Sequence, residues 1–191
     1  MTLGIKTRLF LILLLAGMIG VLSFLLVDLS ALISLMPVPA GTEVPTFTPV
    51  LKVLSLIQPS VLLALAVLIG VLLAPKVGLS APVAEAIAAG SPVPSKLKPQ
   101  LLPGIIGGVV GGMFVVVCGA ILRPFLLPEI IDLSRKFAEL LPMATRLLYG
   151  GITEELLLRW GFMTLKKGLE ASIIAHMVGH LVMAAANYLG L

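Results

Sequence analysis

Five ionisable side chains near the end of the sequence could do chemistry together: Glu154, Glu155, Arg159, His176 and His180. Their neighbours are mostly apolar, in the runs Gly-Gly-Ile-Thr-Glu-Glu-Leu-Leu-Leu-Arg-Trp and Ala-His-Met-Val-Gly-His. A charged side chain inside a bilayer costs roughly 2.5 to 3.5 kcal/mol on insertion scales, so charges in an apolar stretch call for a functional reason. Two acids, a cation and two imidazoles in such a setting predict a buried catalytic site.

The spacing gives the two acids different roles. Neighbouring residues on an α-helix diverge by about 100°, so Glu154 and Glu155 point in different directions. Glu155 lies four positions before Arg159, which is the favourable order for an ion pair on one helix face. We expect Arg159 to hold Glu155, which leaves Glu154 to face a cavity as a general base. A purely structural clamp between Glu155 and Arg159 is the alternative.

The two histidines lie one helical turn apart and share a helix face. Imidazoles at the spacing of His176 and His180 can hold a divalent metal such as zinc, or bind a water and an oxyanion together. Asn187 falls on the same stripe, close to three turns beyond His176. Gly179 allows another helix to approach closely, and we expect this to be the helix of Glu154. Hydrogen-bonded packing histidines are the alternative interpretation.

The composition indicates whether water or lipid surrounds the chain. Hydrophobic residues make up 59% of the chain, charged residues only 12%, and the mean hydropathy is +1.18. A soluble domain has about 25% charged residues, so this chain cannot cover a water-facing surface and is predicted to be an integral membrane protein. The net charge of +4 fits lysines and arginines at membrane edges rather than a nucleic-acid-binding surface. A single cysteine, Cys118, excludes a disulfide framework.

Hydropathy predicts an all-α, polytopic membrane helical bundle with about five transmembrane helices. The predicted crossings are residues 9–27, 53–73, 104–122, 143–167 and 170–191. Basic residues near the N-terminus and in the loop after the second crossing place both on the cytoplasmic side of the membrane. They are Lys6, Arg8, Lys76, Lys96 and Lys98.

Three shorter patterns add expectations about packing. Gly104, Gly108 and Gly112 recur every four residues and predict a flat stripe against which another helix packs. Residues 81–89 suggest a short surface helix, and the apolar spacing within 123–141 predicts an amphipathic helix at the membrane interface. The aromatic side chains of Trp160 and Tyr188 are expected to be interfacial anchors.

The run Glu154-Glu155-Leu-Leu-Leu-Arg159-Trp-Gly-Phe162 resembles the first motif, Glu-Glu-x-x-x-Arg, of the intramembrane CAAX-protease and bacteriocin-processing (CPBP) family. The run that ends in His176-Met-Val-Gly-His180 resembles the last motif of that family. The resemblance implies an intramembrane endopeptidase in which Glu154 activates water, supported by Glu155 and Arg159. It also implies that His176 and His180 stabilise the oxyanion or bind a divalent metal such as zinc.

The resemblance further implies a hydrophobic or prenylated peptide as substrate, the lipid bilayer as partner, and a bacterial or archaeal cell membrane as location. It divides the chain into N-terminal transmembrane helices and loops in 1–137 and a truncated CPBP-type catalytic-motif region in 138–191. No nucleic-acid partner is expected.

One motif of that family has no counterpart in this sequence. The middle motif, Phe-x-x-x-His, does not occur in the sixteen residues between Arg159 and His176. A catalytically inactive membrane scaffold or regulator derived from the family is therefore the alternative function. Metal transport along the face that carries His176 and His180 is a third hypothesis.

Overall fold

The computed structural model describes residues 2–35, 48–161, 176–178 and 180–181, without the side chains of Val77 and Arg159. These residues form helices and turns, and no strand occurs among them. The α-helices are α1 Leu3–Ser23, α2 Leu29–Ser34, α3 Pro49–Leu54, α4 Ile57–Leu73, α5 Pro82–Ala89, α6 Pro94–Leu122, α7 Pro128–Leu140 and α8 Met143–Thr145. Short 3-10 turns cover Phe24–Leu26, Ala74–Val77 and Arg123–Phe125, and π-helix covers Arg146–Thr153 and Leu156–Gly161.

Three helical stretches are long and apolar enough to cross a membrane: Leu3–Leu26, Pro49–Lys76 and Pro94–Phe125. They correspond to the first three predicted crossings, so the all-α prediction is confirmed for the described residues and membrane insertion is favoured. The predicted fourth and fifth crossings, 143–167 and 170–191, lie partly outside the described residues.

The first two of these stretches form an antiparallel pair. The Lys52 ammonium donates to the Leu25 carbonyl over 3.0 Å, so the end of the first stretch meets the start of the second. Further along, the Leu63 side chain lies directly over Gly17 of α1. This direction brings Lys6 and Lys76 to the same end of the pair, as the positive-inside pattern requires.

A third element, residues 143–161, packs against both α1 and α4, and we call it the site helix. Thr153 donates its hydroxyl to the Gly17 carbonyl over 2.7 Å, and Thr145 donates to the Ser23 carbonyl over 3.0 Å. The Thr153 side chain also fills the space over Gly20, where a Cβ atom would collide with it. Glycines on α1 therefore let the site helix approach closely enough for hydrogen bonds between helices.

The structure corrects the expectation for Trp160. Its side chain is only 1% exposed and lies over Gly70 of α4, so it is a core residue and no interfacial anchor. An indole ring needs a recess on the neighbouring helix, and a glycine on α4 provides one. Tyr188, the other predicted anchor, lies outside the described residues.

The short helix predicted at 81–89 is present as α5, and only one side of it is exposed. Helix α5 packs against α1 and buries the small side chains of Ala84, Ala86 and Ala88. At its N-terminus the Glu85 carboxylate accepts a hydrogen bond from the Ala81 amide over 3.0 Å. Alanines allow a short helix to lie close to its neighbour, which a polarity pattern alone does not reveal.

Helix α6 begins at Pro94, ten residues before the predicted start of the third crossing, and contains two interior prolines. An interior proline removes one backbone hydrogen bond and its ring crowds the carbonyl four residues earlier, so Pro99 and Pro103 favour bends in α6, whereas Pro94 suits the first position of the helix. Gly104, Gly108 and Gly112 are buried, and packing of another helix against this stripe stays a prediction. Most large side chains of α6 are exposed.

Helix α7 has the predicted amphipathic character. The exposed Ile130, Leu133 and Phe137 lie along one side, and Asp132 lies on the other. Lys136 forms an ion pair with Asp132 over 2.7 Å. The hydrogen bond and positive charge of this lysine hold the pKa of the Asp132 carboxyl below its ordinary value of 3.8.

Candidate functional site

The site helix is not a regular α-helix. Residues 146–153 and 156–161 wind as π-helix, and Glu154 and Glu155 lie between these two stretches. π-Helical turns are rare and occur frequently at functional sites, because the wider turn changes the direction in which side chains project. The α-helical spacing predicted for this element is therefore wrong at both π-helical stretches.

The two consecutive glycines of the site helix create the space for the histidine segment. A Cβ atom on Gly150 would lie 2.5 Å from Nε2 of His180, and one on Gly151 would collide with Met177. Both glycines are buried. The residues around His176 therefore pack directly onto the backbone of the site helix, as the sequence analysis expected for the helix of Glu154.

At the centre of the site an imidazole lies between two carboxylates. Nδ1 of His176 is 3.0 Å from Oε1 of Glu155, and Nε2 of the same ring is 3.9 Å from Oε2 of Glu154. An ionised Glu155 accepts this hydrogen bond from Nδ1–H of His176, whereas a protonated Glu155 donates to Nδ1. The Glu155 side chain is 7% exposed and that of Glu154 is 40% exposed. The buried acid orients the ring, and the more open acid borders accessible space.

The second histidine supports the first by stacking. The rings of His176 and His180 are nearly parallel, with an interplanar angle of 13° and centroids 4.8 Å apart. Nε2 of His180 is buried against Gly150 and has no hydrogen-bond partner in the part of the chain that the structure describes. Four of the five predicted site residues therefore meet at one place: Glu154, Glu155, His176 and His180.

The fifth predicted residue, Arg159, belongs to the second π-helical stretch, but its side chain lies outside the described part of the structure. Its ion pair with Glu155 therefore stays a prediction. The structure gives Oε1 of Glu155 a contact with His176. Asn187 also lies outside the described residues.

The carboxylates lie near the middle of the apolar helices. Thr153 and Leu156 flank them in sequence, and both contact Gly17. Gly17 is close to the centre of Leu3–Leu26, and its neighbour Leu63 is close to the centre of Pro49–Lys76. If these stretches cross a bilayer, Glu154 and Glu155 lie deep within it, where ionisable groups are expensive and usually functional.

The arrangement of the imidazoles does not fit a zinc ion held jointly by His176 and His180. Imidazole lone pairs lie in the ring plane, so two stacked, nearly parallel rings direct their nitrogens along separate planes rather than toward one point. Among the described residues, no group of three or more His, Cys, Asp or Glu side chains is placed to hold a metal ion.

A further cation near the site, Arg146, was missed by sequence reasoning. It opens the first π-helical stretch, four residues before Gly150, which lies against His180. Its guanidinium donates from Nε to the Leu141 carbonyl over 3.0 Å and from Nη2 to the Ala138 carbonyl. No local pattern marks this role, because the carbonyls that it contacts belong to another helix.

Comparisons with protein-family models, with curated proteins and with solved structures found no match to this chain. What can be said of its function follows from the geometry of Glu154, Glu155 and His176.

Proposed function

We propose that the chain is an integral membrane endopeptidase of the CAAX-protease type, in which a glutamate activates water for attack on a peptide bond within the bilayer. The observation that carries this proposal is the position of the His176 ring, 3.0 Å from Glu155 and 3.9 Å from Glu154. A buried acid that orients an imidazole beside a second, more accessible acid is a general acid–base arrangement.

The proposed reaction uses these side chains only. At a separation of 3.9 Å, one water can contact both Oε2 of Glu154 and Nε2 of His176. Glu154 takes a proton from this water as the water oxygen attacks the carbonyl carbon of the substrate. The proton then passes to the leaving nitrogen as the carbon–nitrogen bond breaks, which regenerates the carboxylate. Glu155 holds the His176 ring in place throughout these steps.

An apolar cavity supports the proposed class of substrate, a hydrophobic or prenylated peptide. The cavity has a volume of about 240 Å³ and opens beside Tyr149, five residues before Glu154. By volume this half-open recess can receive an apolar side chain, and none of Glu154, Glu155, His176 and His180 lines it. Its lining residues are Phe24, Leu29, Ser55, Leu56, Pro59 and Tyr149.

The proposal includes the topology that the sequence predicts. Residues 143–167 and 170–191 would add a fourth and a fifth crossing, with the N-terminus in the cytoplasm of a bacterium or archaeon. The antiparallel arrangement of the first two spans supports this orientation, because it places Lys6 and Lys76 at the same end.

The experiment compares cleavage of hydrophobic and prenylated peptides by purified protein in nanodiscs with cleavage by the Glu154→Gln variant. Loss of a general base typically lowers the rate about 10²- to 10⁴-fold, and we expect a loss in this range. Glu139→Gln makes the same chemical change on the exposed side of α7 and should leave the rate unchanged. Equal rates for the parent protein and Glu154→Gln would reject the proposed enzyme.

A catalytically inactive scaffold or regulator is the second candidate function. Two observations favour it: residues 160–175 contain no Phe-x-x-x-His motif, and the 3.9 Å between His176 and Glu154 exceeds a hydrogen bond. In that case the contact between Glu155 and His176 only holds helices together. Glu155→Gln would then lower the melting temperature. Neither the parent protein nor any variant would cleave peptides faster than the uncatalysed background.

A further inference from the structure

Helix α7 starts directly after a membrane-crossing stretch ends. The stretch Pro94–Phe125 is followed by two residues, and α7 begins at Pro128. Three residues span at most about 10 Å of extended chain, so the start of α7 stays close to the membrane boundary. The helix also contacts α2, which follows the end of the first stretch, Leu3–Leu26.

The two sides of α7 suit different solvents. Ile130, Leu133 and Phe137 are exposed on the apolar side of α7. The neighbouring helices α2 and α8 do not cover them. The polar side is held by ion pairs of Asp132 with Lys136 and Arg135. The helix has three acidic and two basic residues, so it lacks the positive charge typical of helices that select anionic lipids.

The C-terminal end of α7 is fixed to the site helix by Arg146. Its guanidinium contacts the carbonyl of Ala138, one of the last four of α7, and that of Leu141, the residue directly after the helix, and neither group has a partner within α7. Arg146 is eight residues from Glu154 along the site helix. Residues 146–153 are π-helix, which rises less per residue than the 1.5 Å of an α-helix, so this distance is at most about 12 Å and lies within half the thickness of the apolar core of a bilayer, about 30 Å.

We propose that α7 lies on the boundary between lipid headgroups and acyl chains, with its apolar side in the bilayer, and that Arg146 is a positioning residue that ties the site helix to it. The apolar core ends at α7, and the fixed length from Arg146 to Glu154 sets the depth of the site carboxylates. This inference concerns membrane placement alone, so it can stand or fall without any cleavage activity.

The first test measures which side of α7 touches lipid. In a Cys118→Ser background, Leu133→Cys and Glu139→Cys each receive a fluorescent label, and the full chain is placed in nanodiscs of zwitterionic lipid. Brominated acyl chains should quench the label at position 133 at least about twofold more than the label at position 139. Equal quenching at the two positions overturns the proposal. The same result is expected if a second copy of the chain or another segment covers the apolar side of α7.

The second test measures the depth of the site helix with a label at Leu158→Cys, an exposed position, and lipids brominated at several depths. Arg146→Met should lose the single narrow depth profile of the parent protein, and Arg146→Lys, which keeps the charge, should restore part of it. Arg135→Met removes a similar charge from the exposed side of α7 and should change nothing. Parent-like profiles for both Arg146 variants would contradict a positioning role.

Discussion

Helices α4 and α6 have the same hydropathy and different surroundings. The stretches that contain them both have a mean hydropathy of 2.5, yet 28% of the first is buried and only 11% of the second. Helix α4 has Gly70 beneath the Trp160 ring and Leu63 over Gly17, whereas α6 presents large side chains such as Phe114 to the outside. Hydropathy thus decides which helices enter a bilayer, and matched large and small residues decide which of them pack together.

The largest expected effect comes from removing the side chain that joins α4 to the site helix. Trp160→Ala should cost about 3–5 kcal/mol, because a fully buried aromatic residue leaves a cavity. Phe114→Ala on α6 removes a side chain that is 68% exposed and should change stability by only about 0.5 kcal/mol. Thermal unfolding in detergent measures both variants. Similar losses for the two would remove the distinction between α4 and α6.

A smaller effect is expected from filling a recess between helices. A Cβ atom on Gly20 would meet Thr153 and lie 2.5 Å from the Leu148 carbonyl oxygen, so Gly20→Ala should cost about 1–3 kcal/mol. At Gly111 on α6 the same change meets nothing within 4 Å and should stabilise the helix by up to about 1 kcal/mol. Melting temperatures that move in opposite directions support the assignment of packed and lipid-facing surfaces, and a stable Gly20→Ala contradicts it.

Hydrogen bonds between helices should matter more than those within one helix. Thr153→Val removes the bond to the Gly17 carbonyl and should cost about 0.5–1.5 kcal/mol. Thr7→Val removes a hydroxyl bond to Leu3 within the exposed start of α1, where water replaces it, and should have a smaller effect. Unfolding of both variants under identical conditions is the measurement, and a larger loss for Thr7→Val contradicts the expected order.

The smallest effect is expected on α7. The pKa of Asp132 lies below its ordinary value because Lys136 stabilises the carboxylate. This stabilisation is present above pH 3.8 and is lost as the pH falls through the lower pKa of the folded state. Because the pair is exposed, Asp132→Asn should lower the melting temperature only slightly at neutral pH and not at all in strong acid. A pH-independent difference between the two proteins would contradict this cause.

Local patterns in the sequence predicted the elements, and contacts over long distances in the chain had to come from the structure. The first three apolar stretches and amphipathic α7 were predicted because hydropathy and spacing are properties of a short window. Trp160 was wrongly expected at an interface, because Gly70, which receives it, is far away in sequence. The bond between Glu155 and His176 was likewise missed, since spacing favoured Arg159, and the π-helix has no simple sequence signature.

The bond between Thr153 and Gly17 has a consequence for biogenesis. It joins residues that are 136 positions apart, so α1 is synthesised long before its partner. At about 5–20 residues per second, a ribosome needs roughly 7 to 27 seconds to add that length of chain. During this interval Leu63 of α4 can already cover Gly17, but the surface of α1 at Gly20, which Thr153 and Leu148 contact in the structure, is still open to lipid or to an insertion factor. Assembly of the carboxylate centre is therefore a late event of membrane insertion.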